Sequence, residues 1–158
     1  MHTNSTQNSI RHPNNSLLLR DKVQLTETQE SVEFRTQGEM ESQVSDAIRR
    51  YALEYFGRGP KDVHSHLLGD LLLVRMSGVL TIAEQHLAAS SAEQGRILLK
   101  QVRGQMIELA RNELAVAVRI CTLVNVISMH HDISTITGEE IIVFTLDGFP
   151  SIRPTKRK

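Results

Sequence analysis

The chain of 158 residues has no tryptophan, one cysteine, only 4% aromatics and no surplus of either charge, with 18 basic residues against 18 acidic ones. Balanced charge and scarce aromatics leave no electrostatic or stacking footprint for a nucleic acid. The lone Cys121 excludes an internal disulfide and any cysteine metal cluster, and it fits a reducing cytosol. It lies in the apolar stretch RICTLVNVI, where a buried, inert thiol is the plainer reading. No run reaches the roughly 18–20 apolar residues of a membrane span. The opening MHTNSTQNSIRHPNNS has no apolar core of a signal peptide, so a soluble, cytoplasmic protein is expected, and the triplets at Asn4 and Asn14 carry no meaning as glycosylation sites.

What is present is periodicity between two polar ends. Residues 1–38 are rich in Asn, Ser, Thr and Gln and read as a mobile tail. Residues 149–158 form a basic tail with Arg153, Lys156, Arg157 and Lys158; solvation is its plain role, and peripheral contact with acidic lipid headgroups or with a nucleic acid is the alternative. Within 39–56, Met40, Val44, Ala47, Ile48, Tyr51 and Tyr55 recur at helical spacing. Gly57 ends that helix and Pro60 prevents its continuation.

Residues 61–67 and 71–78 read as two strands joined by a tight turn at Leu68–Asp70. The continuous Leu71–Val74 run suggests a strand covered on both faces or an oligomer interface. Thr81 and Glu84 match a capping box that starts a short helix. A longer helix over about 92–119 is expected to turn Leu98, Val102, Met106, Leu109 and Ala110 inward, with Lys100, Arg103, Glu108, Arg111 and Glu113 largely outward. Two strands follow, through LVNVISMHH and EEIIVFTLD, with a turn at Thr137-Gly138. The order α-β-β-α-α-β-β, with strands grouped in pairs, predicts a single α+β domain over 39–148: an antiparallel sheet of two hairpins with helices on one face.

Three segments, YFGRGPKDV, LLGDLLLVRMSGVLTIAEQHLA and DISTITGEEIIVFTLDG, resemble the MpsC-like family, named for a sodium-translocating, membrane-potential-generating system. The resemblance covers roughly 40–148. It rests on Gly57, Arg58, Gly59 and Pro60, on the leucine-rich hairpin leading to Leu80, Thr81 and Glu84, and on Asp132 to Thr135 with Gly138. It implies a soluble accessory or regulatory component linked to ion or inorganic-carbon transport. No catalytic residue is carried over, and no cofactor is expected.

Several residues invite a sharper chemistry. Gly57-Arg58-Gly59-Pro60 follows a helix and precedes a strand, the reverse of a phosphate loop, so a structural corner with Arg58 projecting toward an anion or partner is expected. His64 and His66 share one strand face and, with His130, are candidate ligands of a divalent metal; adjacent His130 and His131 point to opposite faces, and ordinary hydrogen-bonded histidines are the plainer reading. Ser65, Ser77, Ser134 and Asp132 lack a nucleophile elbow, and Asp132 to Thr135 reads as a turn. Glu139 and Glu140 face opposite sides and make a poor acid/base pair. Arg75 interrupts an apolar strand and requires an acidic partner or an anion. Arg58, Arg75 and Arg103 together form a candidate site for a small oxyanion such as bicarbonate.

The function expected is non-catalytic: an accessory or regulatory subunit of a cation or bicarbonate transport system, contacting a membrane transporter subunit and self-associating, as a dimer, through an apolar sheet edge or helix face. The alternatives are a small-ligand sensor for an oxyanion or divalent metal and, third, a small enzyme.

Overall fold

The computed structural model describes residues 35–89 and 93–154. The expectations for the polar stretch before residue 35 and for Lys156, Arg157 and Lys158 lie outside the described residues.

Helix α1 (Gln37–Phe56) starts two residues earlier than its apolar pattern because Thr36 caps it. The Glu39 amide donates to Thr36 Oγ1 at 3.3 Å, and the Thr36 amide donates to Glu39 Oε2 at 2.7 Å, which satisfies two of the amides a helix start leaves orphaned. The helix ends at Gly57, whose φ of 69° is the left-handed conformation that a side chain resists. Strands β1 (Asp62–Leu68) and β2 (Leu71–Ser77) form the expected hairpin, with His64 opposite Arg75 and His66 opposite Leu73. Helix α2 (Ile82–Ala89) follows its own capping box, in which the Thr81 amide donates to Glu84 Oε2 at 2.7 Å.

The single helix expected over 92–119 is two, α3 (Glu93–Leu109) and α4 (Arg111–Thr122). The interruption is one residue wide. Ala110 has a ψ of −3° rather than the helical value, yet its amide donates to the Met106 carbonyl at 3.2 Å and its carbonyl accepts from Leu114 at 3.0 Å. These two bonds straddle a break in the run of helical hydrogen bonds at Ala110.

Strands β3 (Val126–Ile133) and β4 (Glu140–Leu146) complete a four-stranded antiparallel sheet of order β1-β2-β4-β3. A bulge between Val126 and Ser128 keeps Val126, Met129 and Ile133 in register with Leu146, Phe144 and Glu140. One face of the sheet carries Val63, Leu67, Leu72, Val74, Met76, Ile142, Phe144 and Leu146 into a core with Val44, Ile48, Ile107, Leu114 and Val118 from the helices. The architecture is the expected α+β one, a hairpin pair with helices on one face. The buried thiol of Cys121 belongs to this core, and burial pushes it above its usual range.

The facing of α3 differs from expectation. Leu98, Val102 and Leu109 are 49%, 43% and 74% exposed, while Leu99, Arg103 and Ile107 are buried. The helix carries two apolar stripes about a hundred degrees apart, and both have helical spacing. The second continues through Ala110 to Leu114 and Val118 of α4, which join the core shared with the sheet.

Candidate functional site

The alternation of β4 places Glu140 on the same side as Ile142, Phe144 and Leu146, and its side chain is 1% exposed. A carboxylate there needs a partner. Helix α3 supplies it: Arg103 stands one helical turn after Leu99 and one before Ile107, in the buried stripe, with its side chain 6% exposed. Arg103 Nη2 donates to Glu140 Oε2 at 2.5 Å. Nη1 lies 3.8 Å from Glu84 Oε1, the carboxylate that also caps α2, and the guanidinium sits 5.4 Å from the centroid of the Phe56 ring at the end of α1. Four elements are thereby tied to one cation.

The Gly57-Arg58-Gly59-Pro60 corner closes this cluster. Arg58 Nη1 donates to the Leu80 carbonyl at 3.1 Å, which fixes the corner to the segment that launches α2. A cavity of about 20 Å³ lies between Ala52, Phe56, Arg58, Pro60, Met76, Val79, Arg103 and Glu140. That is room for one water. Two buried atoms at the cluster have no hydrogen-bond partner among the described residues, the donor Arg103 Nε and the acceptor Glu140 Oε1. Burial raises the pKa of the Glu140 carboxyl above its ordinary value; the neighbouring Arg103 charge and its hydrogen bond pull the other way without cancelling the desolvation.

Arg58 and Arg103 thus reach one cavity, but Arg75 does not join them. It projects from the opposite, open face of the sheet, where its Nε donates to Glu139 Oε2 at 2.6 Å. Three arginines do not converge on an oxyanion, because β2 alternates and Arg75 has the parity of Leu71 and Leu73. Arg103, expected to face outward, is instead the most enclosed charge on α3.

The histidines are likewise separated. His64 and His66 share the open face of β1, but His130 lies on β3, and β1 and β3 are the two edges of the sheet. Three strand spacings, about 14 Å, is far beyond the reach of ligands on one ion. Among the described residues no group of three or more His, Cys, Asp or Glu side chains is placed to hold a metal. His131 points to the other side and lies 3.3 Å from Glu108.

The serines serve the fold. Ser65 accepts from Ser45 at 2.9 Å between β1 and α1, Ser77 donates to Asp62 at 3.3 Å, and Ser134 accepts from the Thr137 amide at 3.3 Å. Asp132 binds Lys100 at 2.7 Å. Thr135 sits in the turn before Gly138, whose φ is 67°; a Cβ at Gly138 would lie 3.1 Å from Leu80 Cδ1, so that turn seats against the segment between β2 and α2.

The Gly-Arg-Gly-Pro corner, the Thr81–Glu84 cap and the Gly138 turn are therefore parts of one assembly around Arg103 and Glu140. The model of the family described as "Na+-translocating membrane potential-generating system (MpsC)" matches residues 36–148, which is the whole length from the cap of α1 to just beyond β4. The chain belongs to the MpsC family. It is also similar to the uncharacterized protein YbcI of Bacillus subtilis (strain 168), 33% identical over 112 residues that cover 71% of this chain and 89% of that protein. No solved structure matches. The corner, cap and turn are legible in the sequence; the pairing of Glu140 with Arg103 is not, although the parity of Glu140 with Ile142 and Phe144 marks it as inward-facing.

Proposed function

We propose that this MpsC-family chain is a non-catalytic accessory or regulatory component of a cation or bicarbonate transport system that generates membrane potential. The observation that carries the reading is the family match across every described helix and strand, since the described family function is a translocating system. Among the described residues no helix is long and apolar enough to cross a membrane, so the part assigned to this chain is contact with a membrane-embedded subunit. The chemistry of the central cluster supports a holding role. Arg103 and Glu140 spend their charges on each other, and the cavity enclosed beside them has room for one water.

The test is affinity capture from native membranes with the full chain, with and without Lys156, Arg157 and Lys158. Recovery of a membrane-embedded cation or bicarbonate transport subunit is expected. Its absence from membranes that contain such a subunit would overturn the reading, and loss of capture on removing the three basic residues would assign the membrane-proximal contact to them.

A further inference from the structure

Among the described residues, helices α3 and α4 leave one of their two apolar stripes exposed. Leu98, Val102, Leu109, Val116 and Ile120 are 49%, 43%, 74%, 54% and 67% exposed. Five large aliphatic side chains exposed at helical spacing along α3 and α4 are more than the scattered apolar residues of an ordinary surface. Their spacing has a further property. From Leu98 the steps along the sequence are four, seven, seven and four residues, so the series reads the same in both directions about Leu109.

We propose that this stripe is the interface with a second copy of the chain, the two α3–α4 arms packing antiparallel about a two-fold axis at Leu109. A two-fold interface is made of one patch used twice, so each residue must meet the one equidistant on the far side of the axis. That rule sets Leu98 against Ile120 of the twin, Val102 against Val116, and Leu109 against itself. Every member of the series finds an aliphatic partner. The seven-residue steps are those that keep a seam facing a neighbouring helix.

The same rule spares the charges. Glu113 falls opposite Gln105, Glu108 opposite Ala110, and Arg111 opposite Ile107, so no like charges are set directly against each other. Leu123, 70% exposed, falls opposite Gly95, which leaves it room. A partner of a different kind would have no need of a series symmetric about its middle. The stripe from Leu98 to Ile120 is on the order of 33 Å long at 1.5 Å per residue, and its helix is about 10–12 Å across. Faced by its twin, a strip of those dimensions has a footprint of about 350 Å² per copy before the flanking Ile97 and Leu123 widen it, at the small end of specific interfaces. The inference does not rest on the transport reading.

The experiment uses the full chain in a Cys121→Ser background, with a short bis-maleimide as cross-linker. Leu109→Cys should cross-link to itself. Val102→Cys and Val116→Cys should each stay near background alone and cross-link about 10-fold more when mixed, because only the mixture sets one against the other across the axis. Leu109→Glu should weaken self-association about 100-fold in sedimentation, with an unchanged circular dichroism spectrum showing that the fold survives. The proposal is overturned if the unmodified chain sediments as a monomer on the order of 100 µM. It is equally overturned if Val102→Cys cross-links to itself as well as to Val116→Cys, or if a dimer persists in Leu109→Glu and is captured through His64→Cys on the open face of the sheet.

Discussion

Glu139 and Glu140 are neighbours on the chain and each forms an ion pair with an arginine, yet the two pairs lie on opposite faces of the sheet. Glu139 and Arg75 meet on the open face, with side chains 23% and 60% exposed. Glu140 and Arg103 meet in the interior at 1% and 6%. The outer pair keeps most of its water, so forming it gains little and losing it costs little. The inner pair has surrendered its hydration. Its net worth against an apolar pair of the same size is small, but either member left without the other is a bare charge in a poor solvent for it. One step along a strand therefore separates a decoration from a structural commitment.

The largest break in this comparison is expected from halving the inner pair. Arg103→Ala or Glu140→Ala should each cost about 3–5 kcal/mol in denaturant unfolding, whereas the double replacement Arg103→Met with Glu140→Leu should recover most of that loss. Equal and additive losses would show that the pair is not coupled. Next comes pH. The folded-state pKa of Glu140 is raised by burial, so the native state holds the proton to higher pH than the unfolded chain does. That contribution to stability is complete below the ordinary carboxylate value of 4.5 and is lost as pH rises through the folded value. Glu140→Gln cannot titrate, so its stability relative to the wild type should improve as pH climbs above 4.5; a difference independent of pH would contradict the raised pKa.

Thr81→Ala should cost about 1 kcal/mol by removing the cap of α2. It should also weaken the effect of Arg103→Ala in a double-mutant cycle, because Glu84 is held both by the cap and against Arg103. The smallest effect belongs to the outer pair. Arg75→Ala is expected to change stability by no more than about 1 kcal/mol, and molar salt should abolish the difference while leaving the penalty of Arg103→Ala largely intact. An Arg75→Ala loss as large as that of Arg103→Ala would erase the distinction between the faces.

The parts of the site legible in advance are those set by residues within a few positions of one another. Gly57 stops α1 by its own conformational freedom, Thr81 and Glu84 cap α2 across three residues, and Asp132 to Gly138 make a turn from their own hydroxyls and amides. Strand parity alone separates Glu139 from Glu140 and His130 from His131. What could not be read so directly was partnership. Arg75 was legible as needing an anionic partner, but Glu139 lies sixty-four positions away and becomes adjacent only through the pairing of β2 with β4.

The sequence by itself determined the order of strands and helices, the stop at Gly57, the Thr81–Glu84 cap and the two-layer α+β arrangement, though not the division of the long helix at Ala110, because hydrophobic period and turn chemistry act over short stretches of chain. Only the tertiary structure decided which stripe of α3 faces the sheet. Leu98, Val102 and Leu109 satisfy helical spacing as well as Leu99, Ile107 and Ala110 do, and an arginine within the second set argues locally against it. The choice falls to the second stripe because it continues into Leu114 and Val118 and because Glu140, on a strand thirty-seven positions away, is there to receive Arg103. The stripe passed over is left on the surface, spaced symmetrically about Leu109.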